Sequence, residues 1–184
     1  MRVLVTGATG FVGGAVARAL LRAGREVRLI VRPAADRRNI RDLPVEIYHG
    51  DVTDLDSLRR ATSGCAQVYH VAALYKLWVR RKREIYESNV TGTENVLKAA
   101  RECDVEKIIY TSSVATLGLP KDGSPGDEET PVSLSDMVGH YKRSKYLAEQ
   151  VARTYIQEGL PIVIVNPSTP VGEADIKPTP TGKI

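Results

Sequence analysis

The sequence predicts an α/β protein with a doubly wound parallel sheet, flanked by helices on both faces in a three-layer α/β/α arrangement. Short apolar runs alternate with helical patterns, six such runs are spread over the 184 residues, and a glycine-rich turn follows the first run. Strands that alternate with helices pair in parallel through right-handed crossovers. Six of them are typical of the strand order 3-2-1-4-5-6, the Rossmann fold.

Each strand is predicted from a short apolar or β-branched run that is bounded by turn residues. The first run ends at Gly7 and the second ends before Pro33. The predicted strands are Arg2–Thr6, Glu26–Val31, Val45–His49, Gln67–Val71, Lys107–Ser112 and Pro161–Asn166.

Helices are predicted where apolar residues recur at helical spacing between the strands. The first helix stops near Gly24, and Asp54 is a suitable N-cap for the second. The predicted helices are Phe11–Leu21, Leu55–Ala61, Ile85–Cys103 and Val138–Glu158. Residues 118–135 contain glycine, proline and acidic side chains and are predicted to form a loop.

Composition excludes several classes of protein. Hydrophobic residues make up 42% and charged residues 26% of the chain, which is sufficient for a sizeable core. No apolar run approaches the ~20 residues of a membrane span, so no stable membrane insertion is expected. Cys65 and Cys103 form neither a disulfide framework nor a metal-ligand spacing, which favours a reducing cytoplasm and no metal.

The positive charge is concentrated at one end of the chain. Residues 1–41 hold nine arginines against Glu26 and Asp36, a net charge of +7, while the whole chain carries +4. Nucleic-acid binders spread a basic stripe and interleave aromatic residues. Aromatic residues are only 5% here, so we expect a local anion site and no nucleic-acid surface.

The turn after the first strand has glycines at positions i, i+3 and i+6. Gly7 permits the tight turn, Gly10 lets the backbone approach a pyrophosphate, and Gly13 lets the helix pack on the strand. The helix N-terminus then offers free N–H groups to the phosphates. A purely structural turn is the alternative. The candidate cofactor-binding residues of this turn are Gly7, Thr9, Gly10, Phe11, Val12 and Gly13.

Arginines follow the second strand, where a carboxylate would bind the ribose hydroxyls of NAD. Arg32 stands at the strand tip, with Arg37 and Arg38 close behind. Guanidinium groups match a phosphate, so NADP is favoured over NAD; solvated surface arginines are the alternative. Asp51 and Val52, after the third strand, are placed at the adenine ring, although Asp51 also suits a plain turn.

Tyr141 and Lys145 are one helical turn apart and share a face of the predicted helix. An ammonium beside a phenol is expected to lower the phenol pKa from ~10, which makes Tyr141 a usable acid/base for alcohol–carbonyl chemistry. Lys145 could also hold the nicotinamide ribose hydroxyls. Ser113, at the tip of the fifth strand, is placed to bind the substrate oxygen. His49, His70 and His140 are interpreted as structural.

These motifs resemble the extended short-chain dehydrogenase/reductase family. The similar segments are Thr6–Gly13, Asp51–Val52, His70–Ala73, Asn89–Thr93, Tyr110–Ser113, Tyr141–Lys145 and Asn166–Ser168. Residues 112–120 and 166–172 are similar to dihydroflavonol-4-reductase-like proteins and most of all to hopanoid-associated sugar epimerases. The resemblance implies that Ser113, Tyr141 and Lys145 are catalytic. It further implies a cofactor site with Ala72 and Ala73 near the phosphates and ribose, Asn89 beside the active site, and Pro167, Ser168 and Thr169 near the nicotinamide.

Residues 1–166 are therefore expected to form an NAD(P)-binding Rossmann domain, and 167–184 the start of a connection to a substrate-binding lobe that this chain lacks. The resemblance implies an NADP-dependent oxidoreductase or epimerase that acts on an alcohol or carbonyl carbon of a sugar-like or dihydroflavonol-like small molecule. It allows a homodimer. A non-catalytic NADP-binding or regulatory module is the alternative.

Overall fold

The computed structural model of the chain, which describes residues 1–75 and 81–176, contains a six-stranded sheet in which every pairing is parallel. The strand order is β3-β2-β1-β4-β5-β6, which confirms the predicted doubly wound topology. The strands are β1 (Arg2–Thr6), β2 (Glu26–Val31), β3 (Glu46–His49), β4 (Gln67–His70), β5 (Lys107–Thr111) and β6 (Ile162–Val165). The last four are each one or two residues shorter than predicted.

The helices lie between the strands in the predicted order. They are α1 (Phe11–Arg22), α2 (Leu55–Thr62), α3 (Lys82–Tyr86), α4 (Gly92–Glu102) and α5 (His140–Gln157). As predicted, Asp54 caps α2, since its side chain accepts hydrogen bonds from the backbone N–H groups of Asp56 and Ser57. Helix α5 begins two residues later than predicted because Gly139 has a φ of 86°, outside the helical region.

The long helix predicted at Ile85–Cys103 is three elements in succession. A π-helical segment, Glu87–Thr91, joins α3 to α4. Segments of this kind insert an extra residue into the helical turn and are frequent at functional sites. Here the insertion accompanies the burial of Asn89, whose contacts are described below.

Two hydrophobic clusters lie on opposite faces of the sheet because alternate strand residues point to opposite sides. Val3 and Val5 of β1 pack in the cluster that contains Ala17 and Leu20 of α1. Leu4, between them, packs in the other cluster, to which α2, α4 and α5 contribute. The sheet is thereby covered on both sides, as the three-layer prediction required.

One of the N-terminal arginines is a core residue. Arg28 on β2 is only 4% exposed, and its Nε donates to Glu46 at 2.9 Å. Its Nη1 donates to the carbonyl oxygens of Ala61 and Ser63 at 2.8 and 2.7 Å. Arg28 therefore joins β2, β3 and the end of α2, and is unavailable to an anion.

Within the part of the chain that the structure describes, no helix combines the length and the apolar character needed to cross a membrane. The predicted connecting segment 167–184 is described as far as residue 176, and its remaining residues lie outside the described part.

Candidate functional site

A cleft of about 990 Å³ opens at the carboxyl ends of the strands. Its walls are formed by the residues that follow each strand, which is where open α/β sheets bind ligands. The volume is at the upper end of the range for small-molecule and cofactor sites. The predicted residues that line it are Gly7, Thr9, Gly10, Phe11, Val12, Gly13, Arg32, Asp51, Val52, Ala72, Ala73, Ser113, Tyr141, Lys145, Pro167, Ser168 and Thr169.

The glycine turn is shaped by close backbone contacts. Gly7 has a φ of 74°, and a Cβ placed on it would lie 2.7 Å from the Cα of Ala72. A Cβ on Gly13 would lie 2.2 Å from the carbonyl oxygen of Gly7. The turn is closed by a hydrogen bond from the Gly10 N–H to the same oxygen, at 3.0 Å. Any side chain at position 7 or 13 would force β1, α1 and the segment after β4 apart.

The N-terminus of α1 is suited to an anion. Gly10 is its N-cap, no side chain caps the helix, and its first turn carries no acidic residue. Free N–H groups and the partial positive charge of the helix dipole therefore face the cleft. This donor set fits the pyrophosphate of a dinucleotide.

Arg32 is exposed and lines the cleft directly after β2. Asp36 also lines this end of the cleft, an acidic side chain that the strand-tip pattern did not place there. Its carboxylate accepts two hydrogen bonds from the Arg38 Nε, at 3.0 and 3.1 Å, and one from Arg38 Nη2 at 2.7 Å. Arg37 is not on the cleft wall, and its Nη2 lies 3.5 Å from the Nδ1 of His49.

Asp51 combines the two roles considered for it. It lines the cleft, and its Oδ1 accepts hydrogen bonds from the N–H and the hydroxyl of Thr53, both at 2.9 Å. Val52 lines the cleft beside it, and a Cβ on Gly92 would lie 2.7 Å from a Val52 methyl group. The position of Val52 thus depends on the close approach of α4.

Ser113 and Tyr141 meet in the cleft. The Oγ of Ser113 accepts a hydrogen bond from the Ala115 N–H at 3.1 Å. Burial raises the pKa of Tyr141, the neighbouring Ser113 side chain opposes that rise, and Tyr75 adds to it. The rings of Tyr75 and Tyr141 are 4.5 Å apart at an angle of 50°. Tyr141 is therefore a protonated phenol at neutral pH.

The expected effect of Lys145 on the pKa of Tyr141 is not found, and that expectation was wrong. The Nζ of Lys145 donates to the Tyr110 hydroxyl at 3.1 Å and to the Thr111 carbonyl oxygen at 2.9 Å. Burial lowers the pKa of Lys145 to about 7, although Glu149 favours its charged form. Desolvation is thus the largest influence on the pKa of both side chains. It raises the pKa of the phenol, whereas the spacing had predicted a lowered one.

A one-way chain of hydrogen bonds joins the glycine turn to Tyr141. The Thr6 hydroxyl accepts from the N–H groups of Val71 and Ala72 at 3.1 and 3.0 Å, so its own proton goes to His70 Nδ1 at 2.8 Å. The Thr93 hydroxyl donates to the Asn89 carbonyl oxygen at 2.7 Å, so it accepts from His70 Nε2 at 3.0 Å. This arrangement fixes the neutral Nε2–H tautomer of His70.

The second half of the chain runs through Asn89. Its Nδ2 donates to the Ser144 hydroxyl at 2.9 Å, and Ser144 donates to the Tyr141 carbonyl oxygen at 2.8 Å. Asn89 also holds the backbone of Leu74, accepting its N–H at 2.6 Å and donating to its carbonyl oxygen at 3.2 Å. Asn89 does not line the cleft, and it holds segments that do; its expected role among the cofactor-binding residues stays a prediction.

The burial of His70 predicts acid sensitivity. Desolvation first and Lys145 second lower the pKa of His70 to about 3. The unfolded chain binds a proton below about pH 6.5 and the folded chain resists it, so the free energy of unfolding falls as the pH is lowered from about 6.5 to about 3. We expect His70 to contribute a slope of up to about 1.4 kcal/mol per pH unit in urea unfolding experiments.

The matched comparison is His70→Gln with His49→Gln, since His49 is exposed. We expect the free energy of unfolding of His70→Gln to depend less steeply on pH than that of wild type. That of His49→Gln is expected to follow wild type. If the free energy of unfolding changed with pH equally in wild type and His70→Gln, protonation of the buried imidazole would not destabilise the folded chain.

Sequence reasoning missed several residues of this region. Tyr75 packs on Tyr141, and His140, interpreted as structural, lines the cleft while its Nδ1 lies 3.0 Å from the Tyr86 hydroxyl. Glu149 is 3% exposed, and its helical spacing from Tyr141 and Lys145 could have revealed it. Among residues 1–75 and 81–176, no group of three or more His, Cys, Asp and Glu side chains is arranged to hold a metal ion.

The fold and the cleft define the class: a doubly wound α/β protein with a cleft at the carboxyl ends of its strands, where such sheets bind ligands. Residues 3–184 match the NAD dependent epimerase/dehydratase family, and the chain belongs to this family, the extended short-chain dehydrogenases/reductases. The resemblance to this family noted in the sequence is thus confirmed, while the closer similarity to hopanoid-associated sugar epimerases stays a prediction.

Two curated relatives illustrate the range of the family. A Synechocystis protein provisionally named a dihydroflavonol 4-reductase is 48% identical over 98% of this chain and 52% of its own length. Sterol demethylase protein B of Methylococcus capsulatus is 34% identical over the full chain and 56% of its own length. The chain therefore spans about half the length of the curated relatives it matches.

Solved structures share the fold. The crystal structure of gox2253 superposes with a TM-score of 0.93 at 56% identity, over 98% of this chain and 55% of that one. UDP-glucose 4-epimerase of Thermus thermophilus, in complex with NAD, superposes with a TM-score of 0.84 at 28% identity, over 99% of this chain and 60% of that one.

Proposed function

We propose that residues 1–166 are the dinucleotide-binding domain of an NADP-dependent oxidoreductase or epimerase that acts on an alcohol or carbonyl carbon of a small molecule. The observation that carries the proposal is that the uncapped N-terminus of α1 and the Ser113–Tyr141 pair line one continuous cleft. The membership of the family and the reductase and epimerase names of the relatives support it.

The cofactor, when bound, supplies hydride chemistry. Around it, the N–H groups of the α1 terminus would hold the pyrophosphate, and Arg32 would hold a 2′-phosphate. Pro167, Ser168 and Thr169 would face the nicotinamide end, with Ala72 and Ala73 along the phosphates and ribose. All of these residues line the cleft.

Tyr141 would donate the proton when a carbonyl is reduced and take it back in the reverse direction. Because burial raises its pKa, the phenol keeps its proton at neutral pH and is ready for the reductive direction. Ser113 would hold the substrate oxygen. Lys145 would fix the geometry of the site through Tyr110 and Thr111 and present its amine to the ribose hydroxyls.

The choice of cofactor is tested by titrating the chain with NADPH and NADH and following nicotinamide fluorescence. We expect NADPH to bind at least about tenfold more tightly, because a guanidinium–phosphate pair contributes about 1.5–3 kcal/mol. Arg32→Gln is expected to remove most of this preference. Arg25→Gln, at an exposed position after α1, makes the same charge change and is expected to leave the preference intact.

Equal affinities for NADPH and NADH in the wild-type chain would remove the role of Arg32 and favour Asp36 as a ligand of the ribose hydroxyls. If the chain binds NADPH but, when extended to the length of the curated relatives, turns over neither a dihydroflavonol nor a UDP-sugar probe, the result would favour the regulatory module. Net consumption of NADPH would identify a reductase, and inversion of the probe without consumption an epimerase.

A further inference from the structure

Glu149 is a buried carboxylate of α5 that the proposed reaction does not use. Its Oε2 accepts hydrogen bonds from the Ser112 hydroxyl at 2.6 Å, the Thr116 hydroxyl at 2.8 Å and the Asn166 amide at 3.1 Å. Its Oε1 accepts from the Nε and Nη2 of Arg153 at 3.0 and 2.8 Å. One side chain thus joins α5 to the segments that follow β5 and β6.

Both segments continue directly into the cleft. Ser112 precedes Ser113, and Asn166 precedes Pro167, and all but Asn166 line the cleft. The Asn166 amide also donates to the Ser113 carbonyl oxygen at 3.1 Å, so the two segments are tied to each other as well as to Glu149. A displacement of the carboxylate would move both segments together.

The network favours one charge state. Both carboxylate oxygens of Glu149 accept from groups that can only donate, the Arg153 guanidinium at Oε1 and the Asn166 amide nitrogen at Oε2, and this favours the ionised carboxylate. Burial raises its pKa, but the hydrogen bonds from Ser112, Thr116, Arg153 and Asn166 together outweigh burial and keep the pKa below its usual value. A glutamine at this position would turn an N–H₂ group toward donors and leave buried groups unpaired.

We propose that Glu149 is a positioning residue that holds segments 112–116 and 166–169 in the arrangement that receives the nicotinamide half of the dinucleotide. The inference rests on the proposed function, because it assigns that half of the cofactor to this end of the cleft. The residues assigned to the adenine half, at the α1 terminus and Arg32, are not among the hydrogen-bond partners of Glu149.

The experiment compares two ligands: NADPH, and adenosine 2′,5′-bisphosphate, which is the adenine-side half of NADP. In E149Q we expect the Kd for NADPH to rise about tenfold, as for a buried hydrogen-bond network left partly unpaired, and the Kd for the bisphosphate to stay within about twofold. E158Q, at an exposed position beyond the end of the same helix, is expected to leave both values unchanged. Unfolding would weaken the binding of both ligands. A rise in the Kd for NADPH alone therefore separates a positioning role from loss of structure.

Equal losses for both ligands in E149Q, or no loss for either, would overturn the inference. If E149Q does not fold, Ser112→Ala removes a single donor, and the same split is expected at about threefold for NADPH; equal responses there would equally overturn it. A wild-type chain that bound neither ligand would overturn the proposed function itself, whereas binding by wild type with no split in the variants overturns the inference alone.

Discussion

Gly13→Ala is expected to destabilise the fold by about 3 kcal/mol and to abolish dinucleotide binding. The added Cβ would lie 2.2 Å from the Gly7 carbonyl oxygen and 2.9 Å from the Ala8 nitrogen. Both are backbone atoms, so neither can rotate away, and α1 would have to withdraw from β1. Urea unfolding gives the loss of stability, and NADPH titration gives the loss of binding.

Gly10→Ala is the matched comparison on the same turn. A Cβ there lies 3.3 Å from the Gly7 carbonyl oxygen, and Gly10 has an ordinary φ of −85°. We expect this variant to lose no more than about 1 kcal/mol, the order of a weakened N-cap, while its methyl group still obstructs the pyrophosphate. Wild-type stability in Gly13→Ala would show that α1 can shift without cost.

Tyr141→Phe, measured in a chain extended to the length of the curated relatives, is expected to lower turnover by about 10²- to 10⁴-fold, the contribution of a positioned general acid. Binding of NADPH is expected to stay within about twofold, because the ring and its packing against Tyr75 remain. Stopped-flow measurement of NADPH oxidation with a reducible probe, together with a fluorescence titration, separates the two effects.

Tyr155→Phe is the control, since Tyr155 lies near the other end of α5, under the guanidinium of Arg101. We expect that variant to turn over substrate like wild type. Undiminished turnover in Tyr141→Phe would assign the proton to another group, of which His140, also on the cleft wall, is the neighbour to examine.

The sheet could be predicted because its signals are local. Each strand is a short apolar run with a turn residue after it, and the order follows from alternation and handedness. The π-helical segment could not be predicted, because it accompanies the hydrogen bonds of Asn89 to Leu74 and Ser144, which are 15 and 55 residues away in sequence. Periodicity alone gives a continuous helix there.

The candidate site was predictable in its residue types and less so in its electrostatics. The spacing of Tyr141 and Lys145 placed both on one face of α5, where the cleft is. Their pKa values depend on how deeply each is buried and on which partner each side chain reaches, and neither is encoded in spacing. Lys145 reaches Tyr110, whose hydroxyl is brought there only by the packing of β5 against α5.

The one-way hydrogen-bond chain limits which sequences can carry this architecture. The hydroxyls of Thr6 and Thr93 each donate and accept within a buried row, so valine, their closest match in shape, would break the row in two directions at once. Serine keeps both capacities and removes only a methyl group. A redesign of this polar interior therefore has little freedom at those two positions, although neither side chain lines the cleft.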